Sequence, residues 1–199
     1  SNFPTFQPSN PLNQPFNFLN PTTLQLDLTG TYQLKNLATV LSSVTELRKQ
    51  GFTITDEHIQ TALKQVTSLT GLLGRWQTLN TAPRVICDTG HNEDGIREVL
   101  KNIENTKYEN LHMVIGMVKD KDIAKILHLL PKTATYYFCE PEIPRAKPAT
   151  ELALEGAHFG LNGKSYFSVK NALRAAIARA NLKDLVFVGG STFVVAEVV

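Results

Sequence analysis

The chain has no excess of charge of either sign, few cysteines and no long apolar run. Its 20 basic and 18 acidic residues leave a net charge of only +2 over 199 residues, which excludes the basic stripe typical of nucleic-acid binding. No apolar run reaches the roughly 20 residues that a membrane-spanning helix needs. The N-terminus has neither the basic start nor the apolar stretch of a secretion signal. We therefore expect no nucleic-acid and no membrane partner.

The two cysteines, Cys87 and Cys139, each fall near the end of an apolar run. Two such thiols do not form a disulfide framework and are typical of a cytosolic protein core. Because 42% of the residues are hydrophobic, the chain can bury a real core. We expect a cytoplasmic protein with one large domain, or one domain and part of another.

The first 80 residues differ in pattern from the rest. Residues 1–21 hold five prolines and show no periodicity, which excludes regular structure for most of them. Leucines alternate with polar residues over 24–28, which predicts a short, half-exposed strand. Apolar residues at helical spacing predict one helix over 32–50 and a second, capped by Thr55, that runs to about residue 66.

After Pro83, short apolar runs alternate with helical stretches. This alternation predicts βαβ units and therefore an α/β fold with a mostly parallel sheet and flanking helices. A domain boundary is expected around Leu79–Pro83, which gives domains 1–80 and 81–199. A further short strand is expected near Tyr166. The other strands are predicted at 84–88, 112–117, 134–139 and 185–189, and the helices at 93–104, 121–130, 148–158, 169–181 and 192–198.

Polar side chains follow the first of these strands at the point where it ends. Asp88, His91 and Asn92 stand between the apolar run and the next helix. Ligands bind at the carboxyl ends of strands in open α/β sheets, so an acid, an imidazole and an amide there indicate a functional site. The alternative is a helix cap formed by Asn92 or Asp94. A cap requires only one such residue, so we favour the functional site.

Three other strand-to-helix turns should meet at the same edge of the sheet. Ser191 follows two glycines after the last strand, and it either helps to bind an anion or only caps the following helix. Arg145 lies in a proline-rich loop where it can meet an anion. For the charged turn over 116–122 we favour a solvated turn capped by Asp120 or Asp122.

Two further motifs allow more than one interpretation. Arg75 can pair with a phosphate and Trp76 can wall an apolar pocket, or the two can simply cover a domain junction. Gly163-Lys164-Ser165 is similar to the end of a phosphate-binding loop. That loop needs a glycine where this chain has His158, so we interpret these residues as a helix end followed by a turn.

Six motifs taken together resemble a known family. In order they are Gly30-x-Tyr-Gln33-x-x-Asn36, Gly74-Arg75-Trp76, Asp88-Thr-Gly-His91-Asn92, Gly116-Met-x-x-Asp-Lys-Asp122, Pro144-Arg145 and Gly190-Ser191-x-Phe193-Val-Val-Ala196. With them, residues 24–199 resemble the carboxyl-terminal part of folylpolyglutamate synthase, which in bacteria often also acts as dihydrofolate synthase. That family belongs to the Mur ligase superfamily.

The resemblance implies an ATP- and Mg2+-dependent amide ligase. ATP would phosphorylate a carboxylate of folate or dihydropteroate, and the amine of L-glutamate would attack the acyl phosphate. Such enzymes have an N-terminal P-loop ATPase domain and a smaller Rossmann-like C-terminal domain, with the active site between them. The nucleotide-binding residues would be Asn36 on the adenine, Gln33 in support of it, Arg75 on the phosphates and Asp88.

The resemblance also implies the residues that bind the other substrates. Asp88 and His91 would lie beside the nucleotide and the incoming glutamate as catalytic residues. Ser191 would hold the amino-acid carboxylate, and Arg145 would bind substrate as well. No metal ligand is expected within this chain.

The sequence departs from the family pattern in two ways. Gly90 and Glu93 stand where the family usually has Ala and Pro beside the His-Asn pair, and the loss of Pro from a first helical turn removes a preference rather than a contact. The P-loop and the Mg2+-binding residues should lie upstream, and residues 1–80 do not supply them. Ser1 is also not an initiator Met. We therefore expect a monomeric fragment, inactive alone, whose first 80 residues are a remnant of the missing ATPase domain.

Two other functions remain as alternatives. One is another ligase of the superfamily, of the muramyl-peptide or cyanophycin type, although Gly-Arg-Trp followed by Asp-x-x-His-Asn favours the folate branch. The other is a noncatalytic, flavodoxin-like module in which Asp88 accepts a phosphoryl group. That module needs a lysine on the last strand, and residues 185–190 contain none.

Overall fold

The computed structural model describes residues 24–119 and 122–199, and the chain divides into two compact units between Leu72 and Leu73. The irregular segment expected over 1–21 and the candidate cap Asp120 lie outside the described residues. The sequence placed the boundary later, around Leu79–Pro83. The structure includes residues 73–83 in the second unit because the strand Gln77–Thr81 pairs with the strand that follows it.

The first unit is helical, and both predicted helices are present. Its helices are α1 (Gln33–Lys49), α2 (Asp56–Lys64) and α3 (Val66–Thr70). Gly51 follows α1 with a φ of +93°, which a residue with a side chain rarely adopts. The Thr55 hydroxyl accepts a hydrogen bond from the His58 N–H over 3.1 Å and caps α2 as predicted. The buried core is formed by Leu37, Leu41, Ile59 and Leu63.

The prediction of a strand over 24–28 was wrong. Leu24 and Leu26 pack against the helical core instead of forming one face of a sheet. The Asp27 N–H donates to the Leu63 carbonyl over 3.1 Å, and the Asp27 carboxylate accepts from the Thr67 N–H over 2.9 Å. Alternating leucines predict an extended segment, but a strand also needs a partner strand, and this segment is bound to helices.

The second unit is built on a mixed, mostly parallel sheet, as predicted. Its strands are β1 (Gln77–Thr81), β2 (Arg84–Cys87), β3 (Leu111–Ile115), β4 (Thr135–Cys139), β5 (Asn162–Tyr166) and β6 (Leu185–Gly189). Within the described residues the order is β1-β2-β6-β3-β4-β5, and only β1 is antiparallel to its neighbour. β5 confirms the strand expected near Tyr166. Gly163, Lys164 and Ser165 lie in β5 and not in the predicted turn.

Helices cover both faces of the sheet. They are α4 (Glu93–Glu104), α5 (Ile123–Leu129), α6 (Ala149–His158), α7 (Val169–Arg179) and α8 (Thr192–Ala196). Leu185 and Phe187 of β6 share one buried core with α4, α5 and α6, whereas Val186 and Val188 share the other core with α7 and α8. This alternation is the two-residue period of a strand that is buried on both faces. No helix in the described ranges is long and apolar enough to cross a membrane.

Both cysteines are free thiols that lie inside the second unit. Cys87 ends β2 and Cys139 ends β4, and neither is exposed to solvent. Burial, with a smaller contribution from the negative charge of Asp88, raises the pKa of Cys87 to about 12. Burial also raises the pKa of Cys139. Because the thiolate is the reactive form, both act as packing residues.

Candidate active site

Asp88 lies at the carboxyl end of β2 and is buried. Its N–H donates to the Val188 carbonyl over 3.1 Å, which continues the pairing of β2 with β6 by one residue. One carboxylate oxygen accepts from the Trp76 N–H and the other from the Gly90 N–H, each over 2.8 Å. Asp88 therefore fixes two loops, a structural role that the sequence did not reveal.

His91 and Asn92 follow in the same loop and have separate roles. Nδ1 of His91 lies 3.0 Å from the Thr89 carbonyl oxygen. A carbonyl can only accept, so Nδ1 donates, and the neutral ring then has its lone pair on Nε2. The Asn92 side chain accepts from the Gly95 N–H over 2.8 Å and caps α4. Asn92 is therefore the helix cap that the sequence offered as an alternative, and His91 is exposed beside it.

The segment Gly74-Arg75-Trp76 is bound to this loop. The Gly74 carbonyl accepts from the Thr89 N–H over 3.0 Å, and Trp76 is held by Asp88. Gly74 and Trp76 both have positive φ, +72° and +48°, which turns the segment sharply. The Trp76 ring is buried and stacks on Phe187 at 6.2 Å. Arg75 is thereby held, half-buried, next to the end of β2.

Replacement of Gly74 by alanine is expected to destabilise the second unit. A Cβ at this position would lie 2.7 Å from Val195 Cγ1 and 2.9 Å from Thr89 Cγ2. Gly160→Ala is the matched control, because its φ is +78° but its Cβ would meet only Lys132 at 3.6 Å or more. The free energy of unfolding should fall by about 1–2 kcal/mol in the control because of backbone strain. In Gly74→Ala it should fall by about 1–3 kcal/mol more because of overpacking. Equal losses in urea unfolding would contradict the close packing of this segment.

Ser191 lies at the end of β6, the strand next to β2. Its hydroxyl oxygen accepts from the Phe193 N–H over 3.2 Å and caps α8, and the side chain is buried. Because a hydroxyl can also donate, capping does not use all of its capacity. The Gly116 N–H donates to the Gly189 carbonyl over 3.3 Å, which joins this turn to the end of β3.

Arg145 belongs to the turn after β4. Its guanidinium lies 4.9 Å above the centre of the Phe193 ring, so the turn after β4 contacts α8, the helix that follows β6. The Lys119 N–H donates to the Arg145 carbonyl over 3.0 Å, and Val118 forms a bridge with Ala146. The sequence offered Asp120 or Asp122 as the cap of this turn, and Asp122 caps α5.

Gln33 and Asn36 lie in the first unit, in the first turn of α1. The Asn36 amide nitrogen donates to Gln33 Oε1 over 2.7 Å. Gln33 is buried and Asn36 is exposed. Gln33 thus orients the Asn36 amide.

Thr89 is a buried polar residue of the Asp88 loop that sequence reasoning did not single out. It is buried between Asp88 and Gly90, and its hydroxyl has no hydrogen-bond partner among the described residues. A threonine at a strand end is a weak signal, because only the folded loop determines whether its hydroxyl is satisfied.

The structure brings Arg75, Asp88, His91, Ser191 and Arg145 to one edge of the second unit.

Comparison with known proteins identifies a family for the part of the chain that forms the sheet. A family model described as Mur ligase, glutamate ligase domain, matches residues 74–192. The dihydrofolate synthase/folylpolyglutamate synthase of Escherichia coli is 37% identical over 165 residues, which cover 82% of this chain and 36% of that protein.

Solved structures of such enzymes share the fold. Escherichia coli FolC in complex with DHPP and ADP has a TM-score of 0.71 and 31% identity, over 88% of this chain and 39% of that one. A bifunctional folylpolyglutamate synthase/dihydrofolate synthase with Mn, AMPPNP and L-glutamate bound has a TM-score of 0.69 and 29% identity, over 81% and 38%. The chain spans less than half of these relatives and corresponds to their C-terminal part. Because the family model matches more than half of the chain, this chain belongs to the Mur ligase family and carries its glutamate ligase domain.

Proposed function

We propose that this chain supplies the C-terminal domain of an ATP-dependent ligase. The enzyme would join L-glutamate to folate or dihydropteroate through an acyl phosphate. The observation that carries the proposal is the attachment of Gly74-Arg75-Trp76 to the Asp88 loop, on the strand next to Ser191. A cation, a carboxylate and a hydroxyl at one sheet edge match a ligase that binds phosphate and an amino acid together. The names of the relatives support the same reaction.

Asn36 is proposed to bind adenine. One of its two amide hydrogens is used by Gln33, which leaves one N–H and the carbonyl oxygen for a ligand. This pair is complementary to an adenine edge, which presents one acceptor and one donor side by side. The buried Gln33 fixes the amide orientation, so adenine binding would not require the Asn36 side chain to be reoriented.

Arg75 is proposed to contact the phosphates of ATP. Negative charge on the phosphates shifts during phosphoryl transfer, and a guanidinium can neutralise it through two parallel N–H bonds. The hydrogen bond from the Trp76 N–H to the Asp88 carboxylate fixes the backbone next to Arg75. The Arg75 side chain therefore loses little conformational freedom when the nucleotide binds.

His91 and Ser191 are proposed to handle the glutamate. The amine of glutamate must lose a proton before it can attack, and the Nε2 lone pair of His91 can accept that proton. The Ser191 hydroxyl can donate to the amino-acid carboxylate while it caps α8. Arg145, across the Phe193 ring, supplies a positive charge for the same carboxylate.

Magnesium is proposed to bind mainly outside the described residues. No group of three or more His, Cys, Asp or Glu side chains in the described ranges could hold a metal ion by itself. Because Mg2+ is usually bound by one or two carboxylates together with substrate phosphates, we assign the P-loop and most magnesium ligands to an ATPase domain, of which the first 72 residues are the final part.

The test is glutamate-dependent ATP turnover by the full-length gene product, which we expect to be a cytoplasmic monomer. Dihydropteroate or folate should support turnover, and a UDP-muramyl peptide should not. Arg75→Gln should lower turnover at least about tenfold through the loss of a charge-assisted phosphate contact. Arg174→Gln, an exposed arginine on α7, is the matched control and should change nothing. Turnover with the muramyl substrate alone, or equal rates for the two variants, would reject the proposal.

A further inference from the structure

A cavity opens at the edge of the sheet opposite the candidate active site. Its volume is about 330 Å³, within the range of small-molecule sites. It is lined by Arg84, the first residue of β2, and by the segments 107–109 and 182–184, which precede β3 and β6. All of these are amino-terminal ends of parallel strands, so the cavity is separated from the Asp88 loop by the length of the sheet.

The walls of this cavity are fixed before any ligand binds. The Glu109 N–H donates to the Lys183 carbonyl over 3.1 Å, and the side chains of these two residues form an ion pair at 3.0 Å. Below them, the buried Asp184 carboxylate accepts from the Asn110 N–H over 3.0 Å. Two loops joined at three points form a preformed cavity, and binding there costs little loop ordering.

Three basic residues (Arg84, Lys107 and Lys183) and two acidic ones (Glu109 and Asp184) line the cavity, so the lining has an excess of one positive charge. The side chains of Arg84 and Lys107 are exposed, and neither side chain has an ion-pair or hydrogen-bond partner in the part of the chain that the structure describes. Lys183 is balanced by Glu109. An anion between the two unpaired cations would relieve their mutual repulsion, and the planar guanidinium of Arg84 suits a carboxylate or phosphate.

The same cavity also has apolar surface. Tyr108 is 37% exposed and Leu182 is 73% exposed, and both line it. Apolar side chains next to unpaired cations are the combination that a binding pocket for an organic anion requires, because the charge fixes the orientation and the apolar surface adds contact area. A fully solvated cation on a convex surface offers neither.

We propose that this cavity binds a small aromatic anion. Its phosphate or carboxylate lies between Arg84 and Lys107, and its flat apolar part lies against Tyr108 and Leu182. The site is independent of the ligase chemistry at the opposite edge, so it can hold a regulatory ligand or a second molecule while the active site is in use.

The experiment is a titration of the 199-residue chain, labelled with 15N, with phenyl phosphate. Saturable shifts are expected for the amides of 107–109 and 182–184. The double variant Arg84→Gln/Lys107→Gln should bind at least tenfold more weakly. The matched control Arg174→Gln/Lys164→Gln, which removes the same two charges from exposed positions outside the cavity, should bind like the parent chain. Equal affinity of the two double variants, or shifts confined to the Asp88 loop, would overturn the proposal.

Two further ligands separate the contribution of the anionic group from that of the aromatic ring. Inorganic phosphate should bind more weakly than phenyl phosphate, and Tyr108→Ala should remove most of that difference. Benzoate in place of phenyl phosphate identifies the preferred anion, and tighter binding of either one supports the site. If inorganic phosphate binds as tightly as phenyl phosphate, the aromatic class is wrong. Because all replaced residues are exposed, the parent emission of Trp76 should persist in every variant and shows that the fold is intact.

Discussion

Replacement of Asp184 by alanine is expected to lower the free energy of unfolding of the second unit by about 3–5 kcal/mol. Asp184 is 2% exposed, and its carboxylate joins the segments before β3 and β6. One oxygen accepts from the N–H and the side-chain amide of Asn110, over 3.0 and 2.9 Å. The other accepts from the Asn181 N–H over 2.8 Å and lies 3.4 Å from His112 Nε2. Alanine would leave all these donors without their acceptor.

The same residue should make stability depend on acid pH. Burial alone would raise the pKa of Asp184, but the hydrogen bonds from Asn181, Asn110 and His112 outweigh it and lower that pKa. A lowered pKa in the folded state means that the ionised carboxylate stabilises the fold above its ordinary pKa of about 3.9. That contribution is lost as the pH falls through the folded-state pKa. Asp184→Asn should lack this loss, since its amide does not titrate.

The measurement is urea unfolding at pH 7 and at a series of values below pH 4. Trp76 is the only tryptophan of the chain and lies in the second unit, so its emission reports on that unit. Glu104→Ala, an exposed acidic residue at the end of α4, is the control and should change stability by no more than about 0.5 kcal/mol. If Asp184→Asn and the parent chain lose stability equally on acidification, the role assigned to the ionised carboxylate is wrong.

Replacement of Asp88 by alanine is expected to lower the free energy of unfolding of the second unit by about 2–4 kcal/mol and to release the segment 74–76. Two N–H groups, of Trp76 and Gly90, lose a charged acceptor, at about 1–3 kcal/mol each. The Trp76 backbone has a φ of +48°, which is unfavourable without a restraint. The indole should therefore leave its stack on Phe187 in part of the molecules, and Arg75 should lose its fixed position.

Tryptophan emission distinguishes this effect from general destabilisation. The folded Asp88→Ala variant should emit at longer wavelength than the parent chain, because the indole becomes more exposed. Asp184→Ala, in the loop before β6 at the opposite edge, should be destabilised without such a shift in its folded state. In the full-length protein, Asp88→Ala should also lose glutamate-dependent turnover. An unchanged emission spectrum in Asp88→Ala would show that Asp88 does not hold the segment.

Much of the second unit could be predicted, because its local patterns agree with its tertiary structure. The apolar runs after Pro83 became β2, β3, β4 and β6, since a parallel strand buried on both faces is mostly apolar along its length. The helix over 93–104 was predicted at its observed limits, and Asn92 was identified as one of its possible caps.

Other elements could not be predicted, because their sequences carry no distinct pattern. β1 (Gln77–Thr81) is half-exposed and largely polar, and it becomes a strand only through its pairing with β2. The leucines over 24–28 have the pattern of a strand, yet they pack on helices of the first unit. In both cases the partner, and not the segment, determines the structure.

The sequence by itself determined the alternation of strands and helices after Pro83, the burial of the cysteines and the presence of polar residues where strands end. These depend on periodicity and on the rule that strand ends meet at one edge, which are local or general properties. Only the tertiary structure decided that the Asp88 carboxylate holds Trp76, that Arg75 joins the second unit, and that Arg84 and Lys107 line one cavity. Those relations join residues far apart in the chain. They follow from side-chain hydrogen bonds and packing, which no local pattern encodes.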